Sequence, residues 1–495
     1  MTARTLMIQG ASSSVGKSFL TAGLCRVFSR HGLRVAPFKS QNMALNAAIT
    51  ITGAEIGRAQ AVQADAAGVV AEAAMNPILI KAEADGLCQV VVMGRSIGTM
   101  PAGSYRAMRS QLWPQVMEAL DDLRSRFDLV LIEGAGSPAE VNLSQGEIVN
   151  MKVAEAADAP VLLVGDIDRG GIFAALLGTL DLLSPSHRAR VHGLIVNRFR
   201  GDRELFAGGV EFLERQGSLP VVGVVPYVPI RLPVEDSLEI AVLRAPRPGS
   251  ALDVAIIHLE HLSNFDEFDG LVGEPGVSVR LVDRAHELGQ PDLIVLPGSK
   301  TTVVDLLALR SAGLDAAILA ARQAGSAVLG ICAGYQMLGH RIDDSLGVES
   351  VHESVPGLGL LPAWTTFGAS KVTAQREATV VAGCGLLAQA KSQVLRGYEM
   401  RMGAVLSTAT VPLILDGRSD GSMSDDGWVV GTSLHGLLSD RLTRRLVLEA
   451  LAERKGVSLP PPAAPPSDPF DQLADVLEGS LDLAQIERMA GLVRV

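Results

Sequence analysis

The stretch TLMIQGASSSVGKS, residues 5–18, joins a short apolar run to a loop rich in glycine and serine. Residues 5–8 predict a β-strand that ends at Gly10. Apolar residues then recur at helical spacing between Gly16 and His31, at Leu20, Leu24, Val27 and Phe28. A buried strand followed directly by a loop and an amphipathic helix is typical of a parallel α/β sheet. This stretch therefore predicts the fold class of at least the first part of the chain.

The loop itself, residues 10–18, has the spacing G-x5-G-K-S, one residue longer than the standard phosphate-binding loop. Gly10 and Gly16 let the backbone curl, so that the N–H groups around Ser14 face phosphate oxygens and the helix end adds positive charge. We expect Lys17 to reach the β- and γ-phosphates of ATP and Ser18 to hold Mg²⁺. The alternative is a Ser/Gly-rich turn with an incidental lysine.

Composition bounds the class of protein. The chain has 495 residues, 48% apolar and 20% charged, which is enough for a sizeable core and excludes a largely disordered protein. A net charge of −11 argues against general nucleic-acid binding. The cysteines are scattered without a CxxC pair, which excludes a disulfide scaffold and fits a reducing cytosol. Without a signal peptide or a run of about 20 apolar residues, we expect a cytoplasmic protein with no membrane partner.

Short apolar runs alternate with helical patterns in both halves of the chain. We expect a first parallel sheet, followed by a second α/β domain of similar design. The predicted strands after the first one are residues 33–38, 129–133, 161–165, 194–197 and 221–225, then 254–257, 277–282, 293–296, 328–331 and 428–431.

Two segments interrupt this alternation. Residues 244–250 are typical of a linker, and residues 460–469 form a proline-rich spacer before a short amphipathic tail. We therefore expect domains at 1–243 and 251–446 and a C-terminal tail at 447–495. The oligomeric state is left open.

Polar residues end several predicted strands of the first domain, where parallel sheets bind their ligands. Glu133 could bind Mg²⁺ directly or through water, or it could be a solvated strand end. Asp166 and Asp168, with Arg169 beside them, form a second acidic strand end before two glycines. Asn197 could contact a purine edge of ATP or serve only as a turn residue.

A further polar segment follows the predicted strand at 33–38. Lys39, Gln41 and Asn42 place a lysine and two amides beside the phosphate loop. Such a cluster suits an anionic or carboxamide-rich ligand, and an ordinary polar loop is an equally good interpretation.

In the second half, the sequence GICAG at 330–334 lies between an apolar strand and a helical run. This G-x-C-x-G pattern predicts a nucleophile elbow, a sharp strand-to-helix turn that exposes the sulfur of Cys332. The helix end would lower the thiol pKa, and the N–H of Ala333 would face an oxyanion. A buried structural cysteine is the alternative.

The remaining parts of such a centre are a base and a second oxyanion donor. Of the histidines, His435 stands out because it follows the last predicted strand of this domain. Gly298, in a loop after the strand at 293–296, could supply the second N–H. Its position upstream of the elbow, rather than the glycine alone, favours that role.

Many ordered segments of the chain together resemble the cobyric acid synthase family, the glutamine-hydrolysing amidases of cobalamin biosynthesis. The resemblance runs from Met7 to about Arg445. It rests on the segments GASSSVGKS (10–18), APFKSQNMALN (36–46), EIGRAQAVQA (55–64), MNPILIK (75–81), QVVVMG (89–94), IEGAGSPAEVNL (132–143), LLVGDIDRGGIFAALLGTL (162–180), VNRFRGD (196–202), SNFDEFD (263–269), LPGSK (296–300), GICAGYQMLG (330–339) and RGYEMRMG (396–403).

The resemblance implies a dethiobiotin-synthetase-like ATP domain joined to a class I glutamine amidotransferase domain of flavodoxin-like fold. It implies ATP- and glutamine-dependent amidation of carboxylates b, d, e and g of adenosylcobyrinic acid a,c-diamide, with ATP and Mg²⁺ as cofactors. It also implies that Cys332 is the glutaminase nucleophile and His435 its base. By motif position Glu55 joins the substrate candidates, and basic groups for the polyanionic corrinoid are Lys39, Arg58, Lys81, Arg169 and Arg198.

The sequence departs from the general pattern in three places. Class I amidotransferases carry an acid two residues after the histidine, where this chain has Leu437; the cobyric and cobyrinic branch also lacks this acid. The group that orients His435 therefore stays unidentified. Ala333 replaces a common glycine, and Thr52-Gly53-Ala54 stands where an Asp-Gly-type turn is expected before Glu55.

Rival functions remain. The nearest is cobyrinic acid a,c-diamide synthase, which has the same parts and other carboxylates as substrates. Another is amidation of a cell-wall precursor, by enzymes that usually divide the two domains between chains. From a different class, the chain could be a phosphate-loop regulatory switch with an inert glutaminase-like domain.

Overall fold

The computed structural model describes residues 2–83, 86–143, 146–230, 232, 247, 249–462 and 467–492. Of the predicted linker at 244–250, residues 244–246 and 248 lie outside the described residues, as does the predicted domain end at 243. Within the described part, no helix is long and apolar enough to cross a membrane.

The first half of the chain alternates strands and helices. Its strands are β1 (Arg4–Gly10), β2 (Val35–Phe38), β3 (Gln41–Met43), β4 (Ala47–Ile49), β5 (Glu55–Gly57), β6 (Ile78–Ala82), β7 (Leu87–Val92), β8 (Arg95–Pro101), β9 (Leu129–Glu133), β10 (Val161–Asp166), β11 (Val191–Phe199) and β12 (Val221–Pro226). Its helices are α1 (Lys17–Arg30), α2 (Arg58–Ala67), α3 (Ala102–Met108), α4 (Trp113–Arg126), α5 (Met151–Ala156), α6 (Ile172–Leu182), α7 (Pro185–Arg188) and α8 (Ala207–Gly217).

The main sheet of this first domain is parallel, in the order β12-β11-β10-β1-β9-β2. Its central strands are buried on both faces, as continuous apolar runs predict. Because all these strands run the same way, the ends of β1, β9, β10 and β11 meet at one edge of the sheet. A smaller sheet, β3-β6-β7-β8, and the hairpin β4-β5 extend the domain towards the second half of the chain.

The second half contains two sheets. Its strands are β13 (Leu252–Ile257), β14 (Val277–Val282), β15 (Leu293–Leu296), β16 (Ala327–Ile331), β17 (Arg341–Asp343), β18 (Ser354–Pro356), β19 (Ala363–Val380), β20 (Val394–Ser407), β21 (Leu413–Leu415), β22 (Arg418–Asp420), β23 (Ser422–Met423), β24 (Val429–Thr432) and β25 (Leu434–His435). Its helices are α9 (Asp269–Val272), α10 (Ala285–Leu288), α11 (Thr302–Ser311), α12 (Leu314–Gln323), α13 (Ala333–Leu338) and α14 (Arg441–Lys455).

The first of these sheets has the order β14-β13-β15-β16-β24-β23, and only β23 in it runs antiparallel to its neighbour. The second sheet is built around the long antiparallel pair β19 and β20. The expectation of two α/β domains is confirmed. The domain end predicted at residue 446 falls inside α14, so residues 447–455 continue a helix of the second domain.

The C-terminal tail returns to the first domain as α15 (Pro469–Glu478) and α16 (Leu483–Met489). Leu473 and Leu477 are fully buried in the cluster that also contains residues of α1. A Cβ on Gly23 of α1 would lie 2.4 Å from Leu477 Cδ1, so the two helices pack closely there. Burying each such leucine stabilises the packed tail by roughly 1.5–3 kcal/mol.

The two domains meet through a buried charge cluster. Glu55 of β5 receives Lys81 Nζ of the same domain at 2.5 Å and Lys371 Nζ of β19 in the other domain at 2.6 Å. Burial opposes ionisation of Glu55, but the two lysines outweigh it and lower the pKa of this carboxyl to about 2. An apolar cluster beside it joins Ile49 and Leu79 of the first domain to Met400 of β20.

Candidate functional site

The phosphate-loop motif links the end of β1 to the start of α1. Gly16 has φ of +93°, and a Cβ there would lie 2.3 Å from the amide nitrogen of Asn197. Only glycine fits both the left-handed backbone and the space. Ser14 also has a positive φ, of 58°. The predicted curl of the backbone is therefore present, and Asn197 is packed against it.

Lys17 folds back over this loop. Its Nζ donates to the carbonyl of Ser12 at 3.1 Å and to that of Gly136 at 3.0 Å. Gly136 follows β9, so the ammonium lies between the loop and the neighbouring strand end. That position places a cation where the loop amides would hold phosphate oxygens.

Glu133, the last residue of β9, organises the polar groups beside the loop. Its Oε1 accepts from the hydroxyl of Ser18 at 2.8 Å and from Lys39 Nζ at 2.8 Å. Its Oε2 accepts from Gln63 Nε2 at 2.6 Å. Burial alone would raise the pKa of Glu133, but the charge of Lys39 and these hydrogen bonds lower it. A buried, ionised carboxylate therefore stands beside the Ser18 hydroxyl.

The predicted residues on β10 and β11 lie at the same sheet edge. Asn197 donates from Nδ2 to the carbonyl of Val15 at 2.8 Å, so its amide nitrogen supports the loop backbone. Asp166 pairs with Arg198 at 3.0 Å and with Arg169 at 3.5 Å, and the Arg169 side chain is 51% exposed. Asp168 pairs with Arg200. These carboxylates are thus held by arginines at the rim of the edge.

The other substrate candidates are placed differently. Gln41 accepts from the hydroxyl of Tyr105 at 2.5 Å, and Asn42 donates to Gln60 Oε1 at 3.0 Å. Lys39 is buried on Glu133. Glu55, grouped with them by motif position, lies instead in the charge cluster between the domains. Burial of a carboxyl with two cationic partners explains that placement.

In the second domain, Cys332 sits at the turn from β16 to α13 with φ of +53° and ψ of −106°. A Cβ on Gly334 would lie 1.9 Å from the carbonyl oxygen of Leu296, and one on Gly330 would lie 2.6 Å from Leu338 Cδ1. Both flanking positions therefore need glycine for the turn to pack. The predicted elbow geometry is present, with the strained backbone at the cysteine itself.

His435 lines the same cavity as Cys332. Its Nδ1 lies 3.2 Å from Glu267 Oε1, and the ring of Tyr398 stacks on the imidazole with centroids 4.9 Å apart. Burial would lower the pKa of His435, but the charges of Cys332 and Glu267 and hydrogen bonds to both raise it to about 10. This arrangement can hold a thiolate–imidazolium pair.

The predicted oxyanion donors are Gly298, which lies beside His435, and Ala333, the residue after Cys332. Gly298 lies two residues after the end of β15, and a Cβ there would lie 2.9 Å from His435 Cε1. Ala333 is the first residue of α13. Within the described residues, neither amide N–H has a hydrogen-bond partner, so both are available to a ligand.

The cavity of Cys332 is bordered by both domains. Lys81 of the first domain lines it together with residues of the second. Its ammonium lies 3.4 Å from Met400 Sδ, while the carbonyl of Met400 accepts from Cys332 Sγ at 3.3 Å. Lys81, taken from its motif as a corrinoid contact, therefore lies at the glutaminase cavity.

Sequence reasoning missed Glu267 as the partner of His435. Glu267 belongs to the motif SNFDEFD, which contains three acidic residues. The sequence alone does not indicate which of the three contacts the histidine. Glu267 also accepts from the backbone N–H of Gly436 at 3.1 Å. The two carboxylate oxygens of Glu267 contact His435 and Gly436. Glu267 therefore occupies the place of the acid that is missing at Leu437.

Together these features define a class: a phosphate-loop nucleotide-binding domain joined to a glutamine amidotransferase domain. The family model described as "CobQ/CobB/MinD/ParA nucleotide binding domain" matches residues 6–237. The family model described as "CobB/CobQ-like glutamine amidotransferase domain" matches residues 253–442.

Relatives of known name identify the family within this class. A protein of Sorangium cellulosum named "Cobyric acid synthase" is 48% identical over 100% of both chains. Proteins of the same name from Moorella thermoacetica and Photorhabdus laumondii are 45% and 47% identical. They cover 99% and 92% of this chain and 98% and 90% of their own. The chain belongs to the cobyric acid synthase family.

Proposed function

We propose that this chain amidates carboxylates b, d, e and g of adenosylcobyrinic acid a,c-diamide to give adenosylcobyric acid, with ATP and glutamine as co-substrates. The observation that carries the proposal is the pairing, in one chain, of a phosphate loop with a Cys332–His435–Glu267 centre. The name shared by these relatives, "Cobyric acid synthase", supports cobyric acid as the product. The free cysteines, one of which (Cys384) is exposed, fit a reducing compartment and support a cytoplasmic enzyme.

In the first domain, a carboxylate oxygen of the corrinoid attacks the γ-phosphorus of ATP, and the bond to the β-phosphate oxygen breaks. ADP leaves and an acyl phosphate forms. Lys17 and the amides of the loop stabilise the charge of the transferring group. Asn197 holds the loop in shape through Val15.

The residues beside the loop fit Mg²⁺, because the Ser18 hydroxyl and the ionised Glu133 carboxylate are hard oxygen donors next to each other. Those two residues would hold the ion, which neutralises phosphate charge when bound. Lys39 keeps Glu133 ionised, and Gln63 fixes the carboxylate in place.

In the second domain, the Cys332 thiolate attacks the carboxamide carbon of glutamine, and the developing oxyanion is received by the N–H groups of Gly298 and Ala333. Protonated His435 gives its proton to the departing ammonia. Water then hydrolyses the thioester to glutamate. Ammonia attacks the acyl phosphate carbon in the first domain, forms the amide bond and displaces phosphate.

The corrinoid contacts are assigned by exposure. Arg169, with Asp168 and Arg200 at the same rim, is open to a large polyanionic substrate beside the loop. Gln41, which is partly exposed, remains a candidate for its carboxamides, whereas Asn42 is buried against Gln60. The buried pairs of Lys39 and Lys81 assign these lysines to positioning instead.

The test uses cobyrinic acid a,c-diamide in its adenosylated form, ATP and glutamine carrying ¹⁵N in the side-chain amide. Mass spectrometry of the final product counts the labelled amides. Four labelled amides are expected. No incorporation from the a,c-diamide, with two labels from cobyrinic acid, would instead assign the diamide synthase activity, and ATP turnover without any incorporation would indicate a regulatory switch.

A further inference from the structure

Glu267 lies on an acidic loop, residues 263–269, that reaches His435 from the end of β13. The loop begins with Asn264 in the left-handed conformation and continues as a 3₁₀ turn, Phe265–Phe268. Phe268 anchors it in the core of the second domain. The position of Glu267 therefore depends on the contacts that fix the turn around Asn264 and Asp266.

That turn is fixed from the other domain. The N–H of Asn264 donates to Asn46 Oδ1 at 2.7 Å, and Asn264 Oδ1 accepts from the N–H of Ala47 at 3.1 Å. Asp266 forms an ion pair with Arg58, the first residue of α2. These partners of Asn264 and Asp266, namely Asn46, Ala47 and Arg58, all belong to the first domain; we call them the interdomain clamp.

The opposite side of His435 meets the first domain as well. Tyr398, which stacks on the imidazole, packs against the interdomain apolar cluster of Ala47, Ile49, Leu79, Val91 and Met400. Ala47 thus contacts both supports of the histidine: the acidic loop through its N–H and the Tyr398 cluster through its side chain.

We propose that the synthetase domain completes the glutaminase centre, with Arg58 as a positioning residue that acts through Asp266 and Glu267 on His435. This deepens the proposed function and rests on it. The Asp266 side chain is only 9% exposed, so it keeps its place as a carboxylate only while the guanidinium opposes it. Without Arg58, the acidic loop relaxes and Glu267 loses the geometry in which it orients the imidazole.

The test compares Arg58→Ala, Arg58→Lys and a matched control in the full-length enzyme. Arg190→Ala is the control, because Arg190 is 28% exposed against 27% for Arg58 and also pairs with an aspartate, Asp158, within the first domain. Glutamate release and amidation are measured with glutamine and, separately, with ammonium chloride.

For Arg58→Ala we expect kcat with glutamine to fall about 10-fold to 100-fold, because small displacements of a catalytic group cost this much. KM for glutamine and ammonia-dependent amidation stay at the wild-type values, because Arg58, a corrinoid candidate by motif position, is instead held by Asp266 at the domain interface. Arg58→Lys restores part of kcat, and Arg190→Ala behaves as wild type.

Asp266→Asn approaches the same pair from the other side and tests the idea if Arg58→Ala folds poorly. We expect it to reduce the same kcat, and the double variant to be no worse than the more affected single variant. Unchanged kcat with glutamine, an effect on KM alone, or an equal fall with ammonia would each overturn the positioning role.

Failure of the proposed function is distinguishable from failure of this inference. If Cys332→Ala retains glutamine-dependent turnover, the glutaminase assignment itself is wrong. If that variant loses it while Arg58→Ala does not, only the interdomain positioning is overturned.

Discussion

Two strand-end sites in this molecule each use a buried glutamate to position a functional side chain, but the two glutamates reach their sites from different parts of the fold. Glu133 ends the strand next to β1, and its partners Ser18, Lys39 and Gln63 all belong to the first domain. Glu267 arrives on a loop, and the cavity it serves is bordered by residues of both domains. The contacts of Glu133 thus lie within one domain, whereas the cavity at the cysteine site is lined by residues of both domains.

The two glutamates also differ in electrostatic role. Glu133 faces a lysine, and its own pKa is lowered. Glu267 faces a histidine whose pKa is raised to about 10. The first carboxylate is kept ionised by its lysine, and the second acts together with Cys332 to raise the pKa of its histidine partner. Changes at the two sites should accordingly separate the two half-reactions.

The sharpest separation is expected from Cys332→Ala. Removing the nucleophile should lower glutamine-dependent amidation by on the order of 10⁶-fold, below detection, while ammonium salts still support amidation. Product formation with each nitrogen source is the measurement. Cys384→Ala, at an exposed free thiol of the same domain, is the control. Loss of both activities in a folded variant would contradict the division of labour.

Lys17→Ala should impair the phosphate site and leave the cysteine site intact. Its ammonium stabilises the transferring phosphoryl group, so both nitrogen sources should lose about 10³-fold in amidation rate. Glutamate release measured alone reports on the second domain. Lys391→Ala, at an exposed lysine, serves as control. Normal ammonia-dependent amidation by Lys17→Ala would exclude this residue as the phosphate ligand.

A smaller effect is expected from Glu267→Gln, which keeps the shape of the side chain but removes its charge. General acid–base catalysis by His435 should weaken, lowering kcat/KM for glutamine about 10²-fold with ammonia-dependent amidation unchanged. The exposed Glu260, replaced by Gln, is the matched control on the same connection. A wild-type kcat/KM in Glu267→Gln would assign the orienting role elsewhere.

The smallest expected effect is a shift in pH dependence. The imidazolium form of His435 is the proton donor, and its raised pKa preserves that form well above neutral pH. Removing the negative charge of Glu267 lowers this pKa, so the alkaline fall of kcat/KM should begin about one pH unit lower in Glu267→Gln. Profiles recorded for glutamine hydrolysis check this. An alkaline limb at the wild-type pH would show that Glu267 does not act on the histidine charge.

The parallel sheets were predictable because buried parallel strands are continuous apolar runs. The strand predicted at 293–296 matches β15, and that at 129–133 matches β9. The long pair β19 and β20 was not predicted. Many of its residues are polar and half-exposed, as in Val394–Ser407, so no apolar run marks the strand.

The two catalytic motifs were likewise predictable where their chemistry is local in sequence, as at Lys17 and Cys332. Glu267 could not be predicted in the same way, because it lies 168 positions from His435 along the chain. Only the tertiary structure brings the two residues together. Motif position groups Glu55 with the substrate candidates, and its pairing with Lys371 could not be predicted because Lys371 belongs to the unpredicted strand β19. Local spacing identifies a reactive group, but its charged neighbours depend on the assembled domains.

The docking of the tail has a consequence for biosynthesis. The face of α1 that holds Gly23 is covered by Leu473 and Leu477, which are translated some 450 positions later. Until those residues leave the ribosome, the nascent first domain exposes that apolar face, and such surfaces are prone to aggregate. Although this domain is synthesised first, its apolar surface on α1 is covered last.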